Sequence, residues 1–299
     1  MTMTNQEAQA AVTQGIQQLI DDPTQWQRWA RTQAQFHHYS PGNVLLIGAQ
    51  RPDATQVAGY RTWQSLDRFV QKGEKGITVL APVTRKAEDA ELATPGGDTT
   101  TPRTIVSFRP ATVFDISQTA GRPLDIPEAR DIVGNQFQGV LHSLITHAIP
   151  IPVHFDALEP GTYGVWRPQQ GTITISPDSS PDMQLATLLH EWSHSIGHPT
   201  GSHFAGHRGT EEVTAETTAY VLSQMVGLDT KSFSQAYVAG WSDMKPEQVK
   251  ATLADVSHRV RVITATIEQS PDPLLQQLAA TWNPIAGARR DRTPEMAER

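Results

Sequence analysis

Cysteine is absent from the 299 residues, which removes disulfides, thiolate metal ligands and a cysteine nucleophile from consideration. Also missing is any apolar run long enough to span a bilayer. The start, Met1 to Ala10, is polar and lacks the basic-then-apolar pattern of a secretory signal, so a cytoplasmic location is expected, with no membrane partner. An overall positive charge is lacking as well: the formal net charge is -7, which speaks against a chain coated by nucleic acid throughout. What remains is ordinary for a globular protein. A hydrophobic content of 38% supports packed cores, and the length suggests about two domains.

The charge is unevenly spread. Between Trp26 and Lys86 nine Lys and Arg (Arg28, Arg31, Arg51, Arg61, Arg68, Lys72, Lys75, Arg85, Lys86) face three acids (Asp53, Asp67, Glu74), and the remainder of the chain is acidic. One part is thus suited to a polyanion. The basic stretch carries Trp26, Trp29, Phe36, Tyr39, Tyr60, Trp63 and Phe69 among its charges. Rings that stack on bases, with cations along the phosphates, are what sequence-tolerant single-strand binding needs; the same rings also serve as ordinary core.

The most specific motif is His190-Glu191-Trp192-Ser193-His194, which matches H-E-x-x-H. Two histidines four apart on a helix point about 40° from each other and reach one metal ion, while Glu191 stands between them as base toward a water on that metal. The flanks support a helix. Ser180 reads as N-cap, Pro181 as first helical residue and Asp182 as an early acid. Leu185, Leu188, Leu189, Trp192 and Ile196 recur at helical spacing, and Gly197 and Pro199 mark the stop. Both histidines project opposite this apolar stripe, toward a cleft or toward solvent.

A third ligand is expected from the next helix, which opens at Glu211-Glu212 and ends at Gly227. Periodicity places both acids about equally beside its stripe of Ala215, Ala219, Leu222 and Val226. Glu216, one turn beyond Glu212, favours Glu212 as ligand, with Glu216 as the carboxylate that orients a ligand histidine; acids in a first turn also simply complement the helix dipole. A three-histidine site would need histidine at position 200, which is Thr200. His198, His203 and His207 follow in a loop, exposed or turned toward a cleft.

Along the chain, helices are expected over Thr4 to Ile20, Thr24 to about His37 and Ser40 to Ala49. Strands follow at Ile77 to Pro82 and Thr104 to Phe114, flanking a long loop from Ala87 to Pro102. Past a Pro-containing boundary at Ser117 to Pro127 come a helix from about Ala129 to Thr146, a strand near Val153, a hairpin through Thr172 to Ser176, the two metal-site helices, and a helix pair over Lys245 to Ala280. No internal repeat is present. The expected domains are 1–122, 123–282 and a disordered tail 283–299.

Phe36, Tyr39-Ser40, Asn43, Leu46-Ile47, Gln50, Pro52, Ala54-Thr55, Val57-Ala58-Gly59-Tyr60, Trp63, Leu66, Lys72-Gly73-Glu74-Lys75-Gly76-Ile77, Ala81-Pro82 and Val113-Phe114-Asp115-Ile116-Ser117-Gln118-Thr119 together resemble the N-terminal domain of ArdC-type antirestriction proteins. His190, Glu191, His194 and Glu212 are similar to the zincin-like metallopeptidase domain that accompanies it, itself akin to the peptidase domains of IrrE and ImmA regulators. The resemblance implies an α+β fold: an N-terminal α+β domain with a small antiparallel sheet that binds single-stranded DNA, then a zincin-like domain with an H-E-x-x-H active-site helix. It also implies protection of incoming plasmid or phage DNA from host restriction. On this reading the candidate DNA contacts are Arg51, Tyr60, Arg61, Trp63, Arg68, Lys72 and Lys75, and the acidic loop Ala87 to Pro102 makes none.

The chemistry expected is hydrolysis of a peptide bond in an unidentified protein substrate, with Zn2+ held by His190, His194 and Glu212 and Glu191 moving the proton. His and Glu ligands also admit Mn2+ or another divalent ion. Two other readings stand beside it: a regulatory protease that cuts a repressor, and a DNA-binding protein whose metal site is structural or vestigial.

Overall fold

The computed structural model describes residues 3–22, 24–86, 103–124, 137–202, 209–228 and 244–285. The expected loop 87–102, residues 129–136 of the expected helix, His203, His207 and the tail beyond 285 lie outside them. By internal packing the chain falls into two units, Met1–Gly15 with Leu45–Gly121, and Ile16–Val44 with Arg122–Arg299. The sequence suggests one break at 122/123; the packing moves residues 16–44 into the second unit, because the apolar face of that segment is buried there.

The first unit contains the start of helix α1 (Asn5–Asp21) and the end of α3 (Pro41–Gln50). Its sheet has the order β1 (Val57–Ala58), β4 (Arg103–Asp115), β3 (Ile77–Lys86), antiparallel throughout. The β3–β4 ladder runs from Ile77 opposite Val113 to Lys86 opposite Arg103, with a register shift between Val83 and Thr84. A short helix α4 (Tyr60–Ser65) precedes β2 (Arg68–Val70), which pairs with β5 (Thr119–Gly121). Leu46, Ile47, Trp63, Leu66, Ile77, Val79 and Val113 are buried.

The polar hub of this unit is Asp115, 1% exposed. Its carboxylate accepts from the backbone of Thr55 (2.7 Å) and Gln56 (3.0 Å) through one oxygen, and from Ser117 N–H (3.0 Å) and O–H (2.6 Å) through the other. Gln118 closes the turn. It accepts from Asp115 N–H and donates to Glu74 and to the Lys75 carbonyl. The segment Asp115–Gln118 therefore ties the stretches at 55–56 and 74–75 to itself, largely through bonds to carboxylates, a structural duty that explains why such a polar run sits inside a small domain.

In the second unit, α2 (Thr24–Gln35) buries Trp26, Trp29, Ala30 and Gln33 and packs on the helix Thr210–Met225, here α7. A three-stranded sheet has the order β6 (Val153–Phe155), β8 (Thr172–Ile175), β7 (Gly164–Arg167); β6 runs parallel to β8, and β7 forms with β8 the hairpin expected from the sequence. Around it stand α5 (Phe137–His147), α6 (Pro181–Gly197), α8 (Pro246–Glu268) and α9 (Pro273–Trp282). Helices dominate the second unit, strands make up the larger regular part of the first, and the whole is an α+β fold. Among the described residues no helix is long and apolar enough to cross a membrane.

Candidate metal centre

Helix α6 begins as its sequence dictates: the Ser180 side chain accepts from Met183 N–H at 3.3 Å, and Pro181 occupies the first turn. Leu185, Leu188, Leu189 and Trp192 are buried on one face. His194 is fully buried on the other. It faces neither solvent nor an open cleft, because α7 lies against α6 there.

Three side chains converge. His190 Nε2 stands 3.0 Å from His194 Nε2 and 3.1 Å from Glu212 Oε1, and His194 Nε2 is 3.5 Å from Glu212 Oε2. Donors held about 2.0–2.1 Å from one tetrahedral ion are separated by about 3.3 Å. The separations observed, two of them to different oxygens of Glu212, lie near that value, and a two-histidine, one-carboxylate set is of the donor class that a transition-metal or zinc-type ion accepts. The electrostatics point the same way. Burial pulls the His194 imidazole down, but hydrogen bonds to Glu211 and Glu212 and the nearby carboxylates carry its pKa up to about 9. The carboxylates call for positive charge at this position, as a proton or as a cation.

Glu211 and Glu212 divide between two tasks. Glu212 points at the two Nε2 atoms, whereas Glu211 Oε1 lies 3.3 Å from His194 Nδ1 and 3.5 Å from His198 Nε2. Glu211 is gripped in turn by Arg259 of α8, whose Nη1 and Nη2 donate to its two oxygens at 2.7 and 2.8 Å. Burial raises the Glu211 carboxyl pKa, and the bonds from His194 and Arg259 outweigh it, bringing it down to about 2. Arg259 also donates to the Ser193 carbonyl and to Asp255. The carboxylate that orients His194 is thus Glu211, not Glu216 as the sequence suggests. Glu216 instead lines the adjoining cavity, where burial raises its pKa.

That cavity has a volume of about 380 Å³, and His190, Glu191, Glu212, Glu216, Tyr163 and Tyr220 are among its lining residues. Glu191 is 3% exposed, and its Oε2 accepts from the Trp166 N–H of β7 at 2.7 Å. Strand β7 comes this close because residue 164 is glycine: a Cβ there would run into Thr187 and stand 3.1 Å from Glu191 Cγ. Sequence reasoning missed Arg259, Tyr163 and Tyr220. Arg259 lies more than sixty residues from the motif, and its only sequence signal is an arginine inside the apolar pattern of α8, between Val256 and Val260.

The candidate DNA contacts lie in the first unit and do not form one class. Trp63 is fully buried and donates to the Phe114 carbonyl at 2.9 Å, so its ring is core, not a stacking surface. Arg68 donates to Thr119 Oγ1 at 2.8 Å and to its carbonyl at 3.0 Å, and Arg51 donates to Ser117 Oγ at 3.0 Å and neighbours Asp53; both brace the Asp115 turn and its neighbour β5. Tyr60, Arg61, Lys72 and Lys75 are exposed. Phe69 (55% exposed) and Phe108 (49%) add rings outside the core. Trp26, Trp29 and Phe36 are buried in the second unit.

Residues 6–114 match the family model described as the N-terminal domain of anti-restriction factor ArdC. Two solved structures are similar, both of the antirestriction ArdC protein from plasmid R388. The Mn(II)-bound form has 22% identity, covers 91% of this chain and 98% of that chain, and has a TM-score of 0.51. The metal-free form has 23% identity, covers 81% and 85%, and has a TM-score of 0.45. An uncharacterized protein of Bacillus anthracis is 25% identical over 263 residues, 76% of this chain and 44% of the relative. The chain therefore spans under half the length of the curated relative it matches.

Proposed function

We propose, from the premise that the chain is ArdC-type over residues 6–114, that it is an antirestriction protein that binds single-stranded DNA through its first unit and carries a metal-dependent peptidase centre in its second. The observation that carries the second half is the convergence of His190, His194 and Glu212, with His190 and Glu212 opening, beside Glu191, onto one cavity. The Mn(II) held by the R388 protein supports a divalent ion here, with Zn2+ the ion this donor set suits best by class.

His190 Nε2, His194 Nε2 and a Glu212 oxygen would hold the ion. Once bound, it supplies Lewis acidity for activating water and polarising a carbonyl. The residues do the rest. Glu211 accepts the Nδ1 proton of His194, which leaves the Nε2 lone pair facing its neighbours, and Arg259 keeps Glu211 ionised and in place. Glu191 is steadied at Oε2 by the Trp166 N–H, so Oε1 is the atom that takes a proton from the attacking water and returns it to the amine as the peptide C–N bond breaks. The buried setting of His194 and Glu191 keeps these charges strongly coupled.

Glu191→Gln tests the catalytic half. The purified variant should keep its metal, and protection of incoming DNA in cells should be lost if hydrolysis serves it; undiminished protection would show that occupancy of DNA is sufficient. For the first half, the full chain should prefer single strands to duplex, with affinity falling steeply with salt. Replacing Arg61, Lys72 and Lys75 together by Ala should flatten that dependence by about one unit of slope for each lost phosphate contact. Equal affinity for both forms of DNA would sink this part.

A further inference from the structure

We propose a second divalent-metal site in the second unit, formed by His37, His38 and Glu268. The three side chains each bring a ligand atom to a common place, all within 4.8 Å of one another. They come from two elements: His37 and His38 from the turn that follows α2, Glu268 from the last residue of α8. One imidazole nitrogen from each histidine and a carboxylate oxygen form the donor class that zinc, cobalt, nickel and manganese accept. Glu268 and His38 are exposed, and the short movement needed to close around an ion falls on those two side chains.

His37 is what distinguishes this cluster from a chance meeting of polar groups. It is 0% exposed, and neither Nδ1 nor Nε2 has a hydrogen-bond partner among the described residues. Its ring lies edge-on to Trp282 at 6.3 Å, which accounts for its apolar carbon edge. It also lies against the His38 ring, with centroids 3.7 Å apart. Neither contact satisfies a ring nitrogen, and a buried polar atom without a partner is unfavourable because its lost hydration is not replaced. A neutral imidazole held dry, with a lone pair unused beside a second imidazole and a carboxylate, is the form a metal ligand requires.

Asn283 stands beside them, its side-chain amide 3.1 Å from His38 Nε2, and rotation of that amide offers an oxygen as a further donor. One neighbour opposes the ion: Arg261 disfavours positive charge at His38, against the favourable field of Glu268. A metal here would clip the exit of α2 to the end of α8. This site is independent of the peptidase reading and uses none of its residues.

The test is Zn2+ binding to the chelator-stripped full chain, followed by equilibrium dialysis and thermal melting. Wild type should take up two equivalents. His38→Ala combined with Glu268→Gln, both at exposed positions, should lose one equivalent and a distinct part of the metal-induced rise in Tm. His190→Ala should lose the other equivalent, and joining all three changes should leave none. Arg261→Gln should tighten this site by about three- to tenfold, as expected from removing a nearby like charge; a pair of histidines that merely stack would not respond. The inference is overturned if the His38→Ala, Glu268→Gln variant binds as much Zn2+ as wild type. If wild type binds one equivalent that survives His190→Ala but not the paired change, this site stands and the peptidase metal falls; the reverse pattern removes this site alone.

Discussion

Glu211 and Glu212 are adjacent in sequence and opposite in duty: Glu212 brings its oxygens beside the two Nε2 atoms, and Glu211 turns to His194 Nδ1 and the Arg259 guanidinium. Glu211→Gln should leave the three donors in place and weaken metal affinity by about 10- to 100-fold, the usual effect of losing a carboxylate behind a ligand histidine, measured by competition with a chelator. Arg259 is 1% exposed, so Arg259→Met strands the Glu211 charge. Stability in urea should fall by about 3 kcal/mol, and pairing it with Glu211→Leu should restore much of that loss, because an apolar pair replaces a broken ion pair. At this scale the motif histidines were legible, since helical spacing alone brings them together. The sequence favours Glu212 as well, and Glu212 does lie with the two histidines, but the reason it offers, Glu216, is not the one found: the carboxylate behind His194 is Glu211, which depends on Arg259, placed by a distant helix. Trp63 and Arg68 show the same limit, because a ring or guanidinium reads alike in sequence whether it meets a base or a backbone carbonyl.

Helix α6 was legible from end to end, since its cap, first-turn proline and apolar spacing are local. Ser180→Ala should lower stability by about 1 kcal/mol through loss of the Met183 N–H partner, with metal content unchanged. The glycines beside it carry a different message. Gly164 lets β7 lie against α6, so Gly164→Ala should cost about 1–3 kcal/mol by overpacking and shift the Trp166 N–H away from Glu191. On the proposed peptidase reading, the measurable signature is reduced hydrolysis at unaltered metal stoichiometry. Gly197 reads as a helix stop, yet a Cβ there would fall on the Arg259 guanidinium, 2.6 Å from Cζ. Close approach between elements, not backbone freedom alone, explains both residues.

Across the whole molecule, segment 16–44 belongs with the second unit, although it is separated in sequence from the rest of that unit and carries part of the basic, aromatic stretch. Trp26, Trp29 and Ala30 are buried where α2 meets α7. A fragment ending at residue 121 lacks α7 and should expose these rings, with red-shifted tryptophan fluorescence and strong binding of a hydrophobic dye. Native-like blue emission from that fragment would show that 16–44 packs without the second unit. Charge asymmetry along the chain was readable, but it did not reveal that the basic run is shared between two packing units.

The sequence by itself determined where α1 to α3 and the strands near 80 and 110 lie, to within a few residues at their ends, with β3 running past the expected Pro82 to Lys86, and the pair of histidines with Glu191 between them. These follow from periodicity, capping and spacing, whose causes lie within a few residues. Tertiary structure alone decided that the carboxylate orienting His194 is Glu211, held by Arg259. It also decided that Trp63 is core, that segment 16–44 belongs with the second unit, and that His37, His38 and Glu268 meet. Each depends on side chains brought together by packing across tens to hundreds of residues, and no local pattern encodes which partner a buried polar group will find.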